Sequence, residues 1–370
     1  MSVEITTKGI LVREADDADR ERWNQYVERS TTSTPFHRLE CLRLLEEWST
    51  MTLHLLVGYK GDQPIGLFPV FETSRGPLTL VFSPPPSFRV RYLGPILLDT
   101  DRLSQQRLEK RQLRFVDAVS EWIETTCQPS YVRIRTTDRN SDPRPFAWNN
   151  FGVTPRCSYV VDLTPDENEL LDSFSSDARN HIRTSDESDY SIREGSRDDV
   201  RRLMKLTEER HAEKGVQFPL EIEFVVALYD ALPAGYIRPY VCLVGGEPVG
   251  GTLTIEDGDT CYAWQGGVKP RTTILPVNDL VDWHIMREMK ARGLTRYDFM
   301  GANERGLVDY KAKFAPELTT YYHCTRTTPT AGAVEKIYRQ VKEYSSLSLV
   351  RSRRNVRATD FASYVASKLR

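Results

Sequence analysis

The sequence has no C-x-x-C pair and no grouping of cysteines: Cys41, Cys127, Cys157, Cys242, Cys261 and Cys324 are scattered singly along it. Such dispersal fits a reducing compartment and argues against both a disulfide framework and a zinc site. No apolar run approaches the roughly 18 residues a membrane span requires. The opening stretch, MSVEITTKGILVREADD, lacks a basic start followed by an apolar core. A secretory signal is therefore not expected, and the cytoplasm is the expected compartment. An excess of one charge is missing too. The 50 lysines and arginines oppose 52 aspartates and glutamates, and a net charge of -2 gives the whole molecule no nucleic-acid-binding character. The six histidines form no H-E-x-x-H, and neither G-x-S-x-G nor a P-loop occurs. Metal catalysis and serine hydrolysis thus have no support, and neither a metal nor a resident cofactor is expected.

What is present is a repeat. The segment VGYKGDQPIGLF (57–68) is echoed by VCLVGGEPVGGT (241–252), with Gly61, Pro64 and Gly66 matching Gly245, Pro248 and Gly250 at one constant spacing. Each copy reads as strand, Gly-containing turn and strand. Upstream of each lies an apolar-periodic helix, carrying Phe36, Leu39, Leu42 and Leu45 in one case and Phe218, Ile222, Val225 and Leu228 in the other. Downstream, each half continues with a strand, a long helix and a strand, ending at YVRIR (131–135) and RYDFM (296–300). In the first half the downstream strand is expected at RYLGPILL (91–98), after a proline-stiffened, cleft-lining segment, SPPPSF. A long-period repeat of this kind predicts two similar α/β units, 1–158 and 159–330, each with a mixed sheet, and a ligand in the cleft between them. From Ala331 onward nine cations face three acids, and helical spacing of Val334, Ile337, Tyr338, Val341 and Tyr344 predicts a basic helical extension, 331–370. That extension is either a helix packed on the body with a solvated basic face, or an anchor for RNA or for the anionic inner face of a membrane.

The order strand, helix, antiparallel strands, helix, strand resembles the GNAT acyltransferase fold, in which two adjacent strands splay and expose backbone to the reacting group. Here the corresponding edges are CYAWQGG (261–267) and YDFMGA (297–302). A Gly-rich turn to cradle the pyrophosphate of acyl-CoA is missing, because that position reads VKPRTTILPVND, with two prolines and no glycine. Three further segments are similar to the Fem-type (FemABX) aminoacyl transferases and the related BioF2-like acetyltransferase domain: SDARNHIRTSDESDYSI, LPVNDLVDWHIMREMKARGLTRYDFMGA and GLVDYKAKFAPEL. TPFHRLECLRLL and YLGPILL match weaker patterns of the first half. Glycine is absent after Phe299 and after Phe314, where the family carries it.

The resemblance implies a tandem duplicated GNAT-like fold. It also implies an enzyme that forms an amide between an activated donor, aminoacyl-tRNA or acyl-CoA, and an amine on a peptide, sugar or cell-envelope precursor. A catalytically silent ligand-binding protein is the alternative from another class. Carried over residue by residue, Lys311 of YKAKF matches the family lysine at the reacting centre, where a cation stabilises an oxyanion or a donor phosphate. Asp298 is placed to orient Lys311 or take the amine proton. Arg179, Asn180 and Arg183 share a helical face suited to phosphate or carboxylate. Asn278 sits at the mouth of the splay; Tyr262, Trp264 and Gln265 line an acceptor groove, and Tyr310 and Phe314 flank the lysine. Each of these has an ordinary alternative as a core or solvated residue. Replacing Lys311 is expected to lower turnover far more than replacing Lys313, with little effect on stability.

Overall fold

The computed structural model describes residues 3–140, 142–185, 189–267 and 275–328; the expected extension, 331–370, lies outside them. Residues Met1–Arg326 form one compact unit. Its first half contains β1 (Ile5–Thr7), β2 (Ile10–Glu14), α1 (Asp17–Glu28), α2 (Leu39–Ser49), β3 (Thr52–Lys60) and β4 (Gln63–Arg75). It continues through β5 (Leu78–Ser83), β6 (Ile96–Leu97), α3 (Gln105–Thr126), β7 (Tyr131–Arg135), α4 (Arg144–Trp148) and β8 (Gly152–Asp162). The second half contains α5 (Glu167–Ser173), α6 (Ser176–Thr184), β9 (Ser191–Glu194), α7 (Arg197–Glu213) and α8 (Ile222–Ala231). It closes with β10 (Ile237–Val244), β11 (Glu247–Asp257), β12 (Thr260–Gly266), α9 (Val277–Ala291), β13 (Arg296–Asp298), α10 (Arg305–Ala312) and β14 (Glu317–Thr327). Among the described residues no helix is long and apolar enough to cross a membrane.

The repeat extends to the register. In the β3–β4 hairpin Gly58 faces Gly66 and Tyr59 faces Pro64, with an irregularity between Gly58 and Tyr59. In the β10–β11 hairpin Cys242 faces Gly250 and Leu243 faces Pro248, with the same irregularity between Cys242 and Leu243. Gly61 and Gly245 both turn the chain at φ 58, a left-handed conformation that glycine adopts without steric cost. The pairs β5–β7 and β12–β13 are the parallel members of each half. This is a tandem GNAT-like arrangement in one mixed sheet, ordered β1-β2-β3-β4-β5-β7-β14-β8-β13-β12-β11-β10-β9 with β6 beside β4.

The first-half strand expected at 91–98 is instead β5, Leu78–Ser83. The chain at 91–95 has left the sheet, because Gly94 takes φ 65 and the next residue is a proline without an N–H to donate. At the centre the halves exchange strands. β14, the last strand of the second half, lies between β7 and β8, while β8, from the first half, pairs with β13. Residue 158, the expected boundary, falls inside β8.

Helices α1, α2, α7 and α8 share a single core on one face of the sheet, joined by contacts such as Trp48 with Phe224 and Phe36 with Trp264. On the other face α3 and α9 each cover a core of their own.

Candidate active site

Strands β12 and β13 pair only from Thr260 with Arg296 to Tyr262 with Asp298. Beyond that β12 runs on to Gly266 while the other chain turns away at Phe299, and a cleft of about 470 Å³ occupies the gap. One irregularity sharpens it. Leu253 of β11 faces Gln265 and Thr254 faces Ala263, which leaves Trp264 as an extra residue on β12.

The loop after β13 is fixed from beneath. The Asp298 carboxylate accepts the Met300 N–H (2.6 Å), the Ser158 hydroxyl (2.6 Å) and the Tyr92 hydroxyl (3.0 Å). Ser158 in turn accepts the Gly301 N–H at 2.7 Å. Burial and the nearby Asp138 push Asp298 up to about 6. Met300 takes φ 51 and Gly301 φ 114, and the carbonyls of Phe299 and Gly301 face α10. Lys311, in the last turn of α10, donates to the carbonyls of Phe299 (2.8 Å) and Gly301 (2.7 Å). An ammonium has three N–H groups, so one remains for a ligand. Burial, reinforced by Arg91, pulls Lys311 down to about 8. Asp298 thus shapes the loop, and the lysine rests on the loop's carbonyls.

Several lining residues carry no signal in the sequence. Asp282 of α9 accepts the hydroxyls of Tyr297 (2.6 Å) and Tyr310 (2.5 Å), and burial pushes it up to about 6. Arg89 and Arg91 come from the first half, directly after SPPPSF; those two arginines line the cleft, and the residues of SPPPSF itself do not. The Arg91 guanidinium lies so close over Gly301 that a Cβ there would meet it at 2.7 Å. Among the lining residues Arg89, Arg91, Arg210, Lys214 and Lys311 oppose Asp282 and Glu304. A near-neutral protein therefore holds a cationic cleft, suited to a phosphate-bearing ligand.

The basic character continues beyond it. On β7 and β14, Val132, Ile134, Tyr322 and Cys324 pack beneath α3, so Arg133, Arg135 and His323 face the other way, and Arg156 lies opposite Tyr321 on that face. Burial followed by Arg135, Arg156, Arg133 and Arg91 drives His323 down to about 3. In the first half the matching gap is closed: Leu93 N–H donates to Arg135 O and Gly94 N–H to Ser83 Oγ, so the loop bridges the ends of β5 and β7.

The sequence-predicted residues divide three ways. Lys311, Trp264, Gln265, Asn278 and Tyr310 line the cleft. Trp264 donates its indole N–H to Arg89 O (3.2 Å), and Asn278 donates to Gly267 O (3.3 Å). Asp298, Tyr262 and Phe314 are buried behind it, Phe314 among Phe174, Phe299 and Tyr310. Arg179, Asn180 and Arg183 lie elsewhere on α6. Arg179 caps α5 through the carbonyls of Asp172 and Phe174, Arg183 pairs with the Asp172 carboxylate (2.6 Å), and Asn180 is exposed.

Residues 173–312 match the acetyltransferase (GNAT) domain family. The second half of the chain carries a GNAT domain. Lys311 and the loop after β13 fall within that domain, whereas Arg89 and Arg91 bring the first half to the cleft. Comparison by sequence with curated proteins gives no match. In structure the chain is similar to FemX, with a TM-score of 0.62 and 12% identity over 82% of this chain and 95% of that one. It is also similar to the C-terminal domain of a putative lysylphosphatidylglycerol synthetase from Agrobacterium fabrum (TM-score 0.53, 12% identity, 87% and 96% covered). L-PGS from Bacillus licheniformis gives a TM-score of 0.53 at 13% identity, with 86% and 95% covered. These likenesses establish the fold of the GNAT domain and of its partner half.

Proposed function

We propose that the protein is an acyltransferase that joins an aminoacyl group, delivered as aminoacyl-tRNA, to an amine acceptor. The observation that carries this reading is the Lys311 ammonium, held by two backbone carbonyls at the base of a cationic cleft where parallel strands part. In this reading the acceptor's neutral amine attacks the donor's ester carbonyl, and the oxygen that gains charge meets the third N–H of Lys311. The C–O bond to the donor then breaks, and the leaving ribose oxygen takes up the proton that the amine gives up. Ester to amide is downhill, so no strong base is required. Arg89, Arg91, Arg210 and Lys214 would hold the donor's phosphates.

Acyl-CoA is the second donor to consider, since the cationic cleft suits its phosphates as well. Against it stands the use of Gly267, whose N–H donates to Gly251 O (2.9 Å) rather than to a ligand. The acceptor belongs to the broad class of amine-bearing peptides, sugars or envelope precursors.

The test is amide formation followed by mass spectrometry, with mixed aminoacyl-tRNAs or acetyl-CoA as donor and a panel of such amines as acceptor. Product is expected from aminoacyl-tRNA, and acetyl-CoA is expected to bind no better than millimolar by calorimetry. Turnover with acetyl-CoA at micromolar affinity would replace the donor. Ligand binding without turnover by either donor would make the protein a binding module.

A further inference from the structure

Away from the cleft, four side chains that the sequence keeps far apart meet at one end of α3. Glu14 comes from β2, His54 from β3, Glu72 from β4, and Cys127 is the C-cap of α3. A ring nitrogen of His54, a Glu72 carboxylate oxygen and Cys127 Sγ all lie within 4.8 Å of one another, and Nε2 is the nitrogen that faces Glu72, at 3.0 Å. On the other side of the ring, His54 Nδ1 is 2.5 Å from Glu14 Oε1. Trp122 packs edge-on against the imidazole with centroids 5.4 Å apart, which fixes its plane.

This is the pattern by which proteins prepare a histidine to ligate a metal. One ring nitrogen donates to a carboxylate, which sets the tautomer, and the other is aimed at the remaining ligands. One nitrogen, one oxygen and one thiol sulfur form a donor set that zinc accepts at distances of about 2.0–2.3 Å. Two further features favour a cation. Glu14, Glu72 and Glu124 surround Cys127 with carboxylates. The thiol also terminates a 22-residue helix, whose C-terminal end carries partial negative charge.

We propose that His54 Nε2, Glu72 and Cys127 Sγ bind one divalent transition-metal cation, zinc in the first instance, with water as fourth ligand and Glu14 as the orienting partner of the histidine. The ion would tie strands β2 to β4 to the end of α3, a structural role independent of the transfer reaction.

The test uses the full chain and metal ions alone. After loading with Zn2+ and dialysis, about one equivalent per chain is expected, with a raised melting temperature. Loading with Co2+ is expected to give a thiolate-to-cobalt charge-transfer band, lost in Cys127→Ser. Glu14→Gln should keep that band and weaken binding by about 10–100-fold; it also serves should Cys127→Ser fail to fold. Less than a tenth of an equivalent of zinc, cobalt binding without the thiolate band, or unchanged affinity in Glu14→Gln would each overturn the proposal. In that case the four residues are a hydrogen-bonded chain only.

Discussion

Lys311 and Lys313 stand two residues apart, and α10 sends them to different partners. On a helix that spacing is a rotation of about 200°. Lys311 reaches the loop carbonyls, while Lys313 pairs with Asp177 (2.5 Å) and lies 3.7 Å from Asp279, joining α10 to α6 and α9. Lys311→Ala should lower turnover by roughly two orders of magnitude, the scale for a preorganised charge at an oxyanion. Lys313→Ala should stay within a few-fold, as steady-state kinetics will check. The structure revises the expected effect on stability: without its ammonium, two inward-facing carbonyls lose their donor, so Lys311→Ala should also cost about 1–3 kcal/mol in urea unfolding. Because burial pulls Lys311 down to about 8 and it must be charged to meet an oxyanion, kcat/KM referred to the neutral fraction of the acceptor amine should be level below that pH and fall through it. Lys311→Arg, if active, should move the fall to higher pH. The missing family glycines are informative here. Met300 and Ala315, which occupy those positions, both hold left-handed backbone, at φ 51 and φ 48. The backbone conformation is present even though the residue suited to it is not. Ala315→Gly should accordingly stabilise the protein by roughly 0.5–1 kcal/mol, the reverse of its usual effect, measurable by denaturant titration.

Among the elements, the hairpins were legible because a turn glycine and a proline at fixed positions constrain register locally. Gly58 and Gly66 have a second duty that no periodicity reveals. They face each other across β3 and β4, and the Phe115 ring of α3 lies on both, so that a Cβ at either would sit 2.4 or 2.6 Å from it. Gly66→Ala should therefore cost about 1–3 kcal/mol by forcing α3 off the sheet, visible as a lowered melting temperature with turnover largely kept in the folded fraction. The strand at 78–83 was missed for a related reason. RYLGP has the apolar content of a strand, and only its tertiary partners, Ser83 and Arg135, reveal it as a loop. Lys311, Trp264, Gln265, Asn278 and Tyr310 could be found through motif and resemblance. Arg89 and Arg91 could not, because nothing local links a first-half loop to a second-half cleft, and Asp282 is one of several polar residues on α9, beside Asp279 and His284. Arg179 and Arg183 show the opposite error, since helical spacing placed them on one face without saying what that face meets.

For the whole molecule, net charge concealed more than it disclosed, because opposite charges are segregated: the cleft and the adjoining face of β7, β14 and β8 are basic. The strand exchange has the largest reach. A chain ending before Glu317 lacks the strand that joins β7 to β8, and neither half offers a substitute. Such a truncation should yield insoluble protein, even though it keeps the whole of the GNAT match, and sedimentation of the expressed product will check this. During synthesis the same topology imposes a wait. The edge of β7 is complete once residue 135 has been made, but its partner arrives with residues 317–327. At about 5–20 residues per second that delay is on the order of ten to forty seconds. Throughout it the ribosome holds an open β-edge, the kind of surface that recruits other nascent chains. Arg133 and Arg135, alternating along that strand, supply the like-charge repulsion that natural edges use against such pairing. The basic stripe is thus expected to guard the unfinished chain against edge-to-edge pairing.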